Sequence, residues 1–189
     1  MEQDVSENVA EVEEEKTVQY PAAQIISEAC FDDYMRLQDN YNKLYEKVNI
    51  GLTFAGVALT LVLSLLDFSH LYADISGYRI WQLILMIVYT FCEVACVISL
   101  LYATVCLLLL MRSKTLAVFK SEDARDIEVY GATENQAAVW LIDKYTTCTN
   151  ENRPIIAKKQ KSFEKAVTAI IVGLILFAVV ISIGKVGVV

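Results

Sequence analysis

An all-α integral membrane protein is the fold class this sequence predicts, with three transmembrane helices extended into a cytosolic helical bundle. Three observations predict it. The 189 residues are 56% hydrophobic, with a mean hydropathy of +0.43. The apolar side chains are gathered into three blocks, where a soluble domain of this size would spread them along the chain. No segment alternates apolar and polar residues with a period of two, so no sheet is expected.

Residues 1–21 hold seven acids and one lysine, which accounts for −6 of the net charge of −7. The stretch carries no apolar period and reads as an acidic, solvated, disordered tail. A secretory signal needs a basic start running at once into an apolar stretch. This start is acidic, and 49 residues precede the first block, so no cleaved signal is expected.

Residues 22–49 contain neither glycine nor proline and read as a cytosolic helix continuous with the first span. Within them Cys30, Tyr34, Leu37, Tyr41, Leu44 and Val48 recur at alternating spacings of four and three. That spacing lays an apolar seam along one face of a helix. The seam needs something to pack on, either other segments of this chain or a second copy.

Crossing the hydrocarbon takes about 20 helical residues, with a range of roughly 17 to 25. The first span, residues 50–66 (IGLTFAGVALTLVLSLL), meets the short limit. Its Thr53, Gly56, Thr60 and Ser64 put small and hydroxyl side chains on one helix-packing face. Residues 67–79 form an outer loop. The second span, residues 80–111, is too long for one upright crossing and too short for two with a turn.

Residues 112–165 form a cytosolic helical region. SKTLAVFK extends the second span as a stalk, and SEDARDIEVYG is a linker. TENQ, from Thr133 to Gln136, has the form of a capping box. The helix it opens places Ala137, Trp140, Leu141, Lys144, Tyr145 and Cys148 on one broad face, and TNENRP ends it. Pro154 then sits in the first turn of the last helix, where its missing N–H costs nothing. That helix runs into the third span, residues 166–184, and residues 185–189 are an outer C-terminus.

Orientation follows the flanking cations. Arg36, Lys43 and Lys47 precede the first span, and the outer loop carries Arg79 alone. Arg112, Lys114, Lys120 and Arg125 follow the second span, while Lys158, Lys159, Lys161 and Lys165 precede the third. After it comes only Lys185. The pattern predicts a multi-pass protein of the inner (plasma) membrane with a cytosolic N-terminus and an outer C-terminus. The KKQK cluster at 158–161 is explained by this topology, with anionic lipid contact compatible and no direct nucleic-acid binding expected.

Chemistry is sparse, and no catalytic residues are assigned. His70 is the single histidine and sits in the outer loop. There is no glycine-rich phosphate loop, no G-x-S-x-G and no H-E-x-x-H. The five cysteines do not form a secreted disulfide framework. Cys92 and Cys96 with Glu93 make an incomplete metal site, so neither metal nor cofactor is expected. What remains is a polar stripe on the second span. Gln82, Tyr89, Thr90, Glu93, Cys96 and Thr104 fall within about 60° of one direction at roughly 100° per residue.

An ionised acid at the bilayer centre costs about 2.5 to 3.5 kcal/mol on insertion scales, so Glu93 should be buried against protein or water. Three readings stay open. Glu93 is protonated or bonded to hydroxyls of the first span and fixes packing; it lies at the outer headgroups; or it lines a pore as an acidic ring that favours cations.

The helix YMRLQDNYNKLYEKVN leading straight into a span, the short outer loop and the helices after the hairpin resemble a known group. These are small bacterial membrane effectors of antiphage and nucleotide-signalling systems, best described as SLATT-type two-span proteins. The third span departs from the two-span pattern. The resemblance implies an oligomer that opens or disrupts the membrane when a cytosolic protein or nucleotide signal acts on the bundle. The functional expectation is therefore a non-enzymatic, homo-oligomeric pore gated from the cytosol. The alternative is a non-conducting anchor or adaptor for a cytosolic partner.

Overall fold

The computed structural model describes residues 20–66, 79–112, 116–120, 122, 125 and 131–185. The tail up to residue 19, most of the outer loop with His70, most of the linker and residues 186–189 lie outside the described residues. Three helices organise the rest: α1 (Ala23–Leu65), α2 (Ile80–Met111) and α3 (Glu134–Lys185). Each is long and apolar enough to cross a membrane. Among the described residues there is no strand.

α1 begins just after Pro21, where a missing N–H is tolerated, and runs 43 residues from a polar half into an apolar half. Its seam closes on α3 of the same chain. Tyr34, Leu44 and Val48 are buried, and the Phe31 and Tyr34 rings lie 5.5 and 5.6 Å from that of Tyr145. The spacing of four and three does not stop at the span. It continues through Gly51, Ala55, Ala58 and Val62, of which the last three are buried. One inward face therefore serves both halves, with aromatic and leucine side chains below and small ones above.

α2 packs between the upper parts of α1 and α3. One core layer joins Val48, Ala55, Ala103, Leu107, Ala166 and Ile170; a second joins Ala58, Val62, Cys96 and Leu100; a third joins Tyr89, Cys92 and Val180. Outside these layers the surface is also apolar, with Ile50, Phe54, Leu61, Phe91, Ile98 and Ile175 exposed. A helix bundle that is apolar inside and out suits lipid and not water.

Three expectations about the 112–165 region are corrected. First, no break separates a cytosolic helix from the third span, because α3 is one helix of 52 residues with Pro154 inside it. The proline ring faces out on an exposed position, as does Asn150, whose carbonyl the missing amide would have served. On the opposite face Thr149, Asn152 and Ile156 are buried and hold the rod to its neighbours. Second, SKTLAVFK does not prolong the second span. α2 ends at Met111, and residues 116–120 are not helical. Third, the box at Thr133 is half formed. Gln136 accepts from the Thr133 amide at 2.9 Å, but the Thr133 hydroxyl also donates to Gln136, at 3.0 Å.

Candidate functional site

The predicted stripe on α2 divides by what each side chain does. Gln82 is spent on the start of the helix, where its Oε1 accepts from the Arg79 amide at 3.0 Å. Thr90 and Thr104 donate to the carbonyls of Met86 and Leu100 one turn back, at 2.9 and 2.8 Å. Tyr89 is buried, with its ring beside Gly184 of α3. Glu93 has 0% exposure and sits between the layer of Tyr89, Cys92 and Val180 and the layer of Cys96 and Leu100.

α3 meets this part of α2 at close range. Cys96 Sγ donates to the Gly173 carbonyl at 3.2 Å, and Ser99 Oγ donates to the Ala169 carbonyl at 2.8 Å. A Cβ added at Gly173 would stand 2.9 Å from Leu100 Cγ. Glycine is what allows the backbones this near.

The hydroxyl face of α1 does not take part. Thr53, Thr60 and Ser64 are exposed and donate to the carbonyls of Asn49, Gly56 and Thr60 of their own helix. Nothing lies within 4 Å of a Cβ added at Gly56. The face that α1 turns inward is instead that of Ala55 and Ala58, one position round the helix. Continuing the seam's count past Val48 would have found it.

A second constellation, at the lower end of α2, was not foreseen. Lys159 is only 9% exposed. Its Nζ donates to Tyr41 Oη at 3.0 Å and to the Leu110 carbonyl at 3.5 Å. It also lies 4.8 and 5.4 Å from the ring centroids of Tyr41 and Tyr45. Tyr45 Oη donates to the Met111 carbonyl. A lysine and a tyrosine from two helices thus satisfy the last carbonyls of a third, where a helix leaves acceptors and partial negative charge.

Just beyond, the chain lies across α1 and α3. The Asn152 side chain, 1% exposed, accepts from the Ala117 amide at 2.8 Å and donates to the Ala117 carbonyl at 2.7 Å. The Phe119 amide reaches Tyr34 Oη at 3.4 Å, and its ring lies 5.4 Å from Tyr145 and 6.0 Å from Trp140. Burial, and secondarily the neighbouring Tyr34, pushes the Tyr145 phenol above its ordinary range.

The sequence signal for Asn152 and Lys159 lies in their phase. From Thr149 the buried or half-buried positions of α3 run Asn152, Ile156, Lys159, Phe163, Ala166, Ile170 and Gly173, at steps of three and four. Among the described residues no three His, Cys, Asp or Glu side chains gather as metal ligands. Comparisons with protein-family models, curated proteins and solved structures return no match, which leaves side chains and their geometry as the ground for function.

Proposed function

We propose that this chain is a multi-pass membrane protein whose cytosolic bundle receives a protein or nucleotide signal and passes it to spans that self-associate and permeabilise the membrane. It acts without catalysis, with its N-terminus inside and its C-terminus outside the plasma membrane. The carrying observation is continuity: α1 and α3 each run unbroken from the polar half into the apolar half along one inward face. Movement at the bundle therefore has a continuous helical route to the spans. The outward Thr53–Gly56–Thr60–Ser64 face offers close approach to a second copy.

In this reading the described conformation is the closed one, because Glu93 is fully buried within the helix bundle. Conduction requires the helices around it to part, which would bring a carboxylate to water and favour cations. The antiphage setting implied by the layout resemblance belongs to the same proposal. The test is ion leak from liposomes holding the purified protein, for the native chain and for Glu93→Gln. Leak that depends on the acid is expected. Background-level leak from well-folded protein overturns the pore.

The complete burial of Glu93 favours a second reading, a non-conducting anchor that recruits a cytosolic partner. There the acid only fixes the packing of α2 on α3. Glu93→Leu then changes thermal stability and leaves partner recruitment intact.

A further inference from the structure

We infer that the cleft between the lower end of α2 and the middle of α3 is a binding site for an anionic phospholipid. This rests on the membrane reading above but not on conduction. The cleft has a volume of about 700 Å³, within the range of small-molecule sites. Its apolar wall on α2 includes Cys106, Leu109 and Leu110, and its charged end carries Arg112, Lys158 and Lys159. No acid lines it.

Position gives the chemistry. The apolar block of α2 ends at Met111, and the lysine-rich stretch of α3 ends at Lys165, just before its own apolar block. The cleft thus straddles the boundary between the halves, with cations at the level where headgroups sit and aliphatic walls where acyl chains begin. Leu109, 64% exposed, faces outward beside it. Basic pockets between spans on the cytosolic side are suited to anionic headgroups. A free anion would gain nothing from the aliphatic wall, whereas a phospholipid uses both ends.

The cations differ in kind. Arg112 and Lys158 are exposed and adjustable, while Lys159 is fixed by Tyr41, Tyr45 and the Leu110 carbonyl. The carbonyl end of α2 would ordinarily repel a phosphate. Here the Leu110 and Met111 carbonyls are already bonded by Lys159 and Tyr45, so that repulsion is reduced. A phosphate lodged between Arg112 and Lys158 ties the end of α2 to α3 at the base of the spans.

The test uses the full chain, extracted from membranes in a mild neutral detergent, with phosphatidylglycerol and phosphatidylcholine as probes. Lipid retention is read by native mass spectrometry and stabilisation by thermal melting. The native chain is expected to retain phosphatidylglycerol in preference to phosphatidylcholine. An Arg112→Ala/Lys158→Ala double variant, altered only at exposed positions, should bind the anionic lipid at least about tenfold more weakly. The control variant Lys43→Ala/Lys47→Ala, elsewhere on the polar half, should bind it like the native chain. Equal retention of the two lipids, or equal retention by the native chain and the double variant, overturns the site. So does equal stabilisation by inorganic phosphate, which would make it a free-anion site. Recovery of folded protein without detergent would instead overturn the membrane reading itself.

Discussion

Asn152 is a small residue with a large structural burden. A buried primary amide takes both backbone groups of Ala117, doing across a helix face what a neighbouring strand does in a sheet. Removing it leaves a half-buried donor and acceptor without their partner, at a cost of about 1–3 kcal/mol. Asn152→Ala should therefore lower the melting temperature in detergent and speed hydrogen exchange at the Ala117 amide. Unchanged exchange there would contradict the clamp. Tyr145 makes a second prediction. Its phenol is raised in the fold, so it stays protonated where the unfolded chain has begun to lose its proton. The contribution is fully present below about pH 10 and is lost as pH rises beyond it. Tyr145→Phe should flatten the alkaline fall in melting temperature above that pH. At this scale the sequence was half legible. Glu93 stands out among apolar neighbours, but the sequence leaves open whether it packs against protein, meets the outer headgroups or lines a pore. Asn152 and Lys159 hide in a polar stretch, because polarity alone suggests water while their phase on α3 says otherwise.

Among the elements, α1 carries the clearest lesson. Its inward face follows steps of four and three from Cys30 to Val62, and that one count gives both the aromatic seam and the small-residue contact in the span. Hydroxyl residues draw the eye to the wrong face, since Thr and Ser in an apolar helix can satisfy themselves on the preceding turn. The two glycines separate these faces experimentally. Gly173→Val drives extra carbons into the fully buried Leu100 and should destabilise the protein by about 1–3 kcal/mol, read as a lower melting temperature. Gly56→Ile meets open space in the single chain and should leave the melting temperature within error. Under the self-association reading, the same substitution shrinks the detergent-solubilised particle to one chain. The helix count of the polar half was misread for a physical reason. A proline preceded by Asn-Glu-Asn-Arg has the local chemistry of a terminus, but burial on the opposite face outweighs it.

For the whole molecule, the three rods and their apolar blocks were plain in the composition, because spanning lipid demands unbroken runs that no soluble helix needs. Their mutual arrangement was not: α2 meets both neighbours, with Cys96 beside Ala58 and Val62 of α1 and against the Gly173 backbone of α3. Reporter fusions at positions 130 and 185 should report opposite sides of the membrane, because in the proposed topology α3 passes through it between them. Finding both in one compartment would remove the third crossing and the proposed function together.

Pro154 brings no amide to the Asn150 carbonyl, so a rod of 52 residues, about 78 Å long, lacks one rung low in its length. Bending is cheapest there. The omission sits beside the charged cleft and just below the stretch that enters the apolar half. An elbow placed so low leaves roughly the upper three-fifths of the shaft stiff, and its far tip sweeps the widest arc when the shaft bends there. A small tilt near Asn152 would thus be magnified beside Glu93, without any span having to unwind.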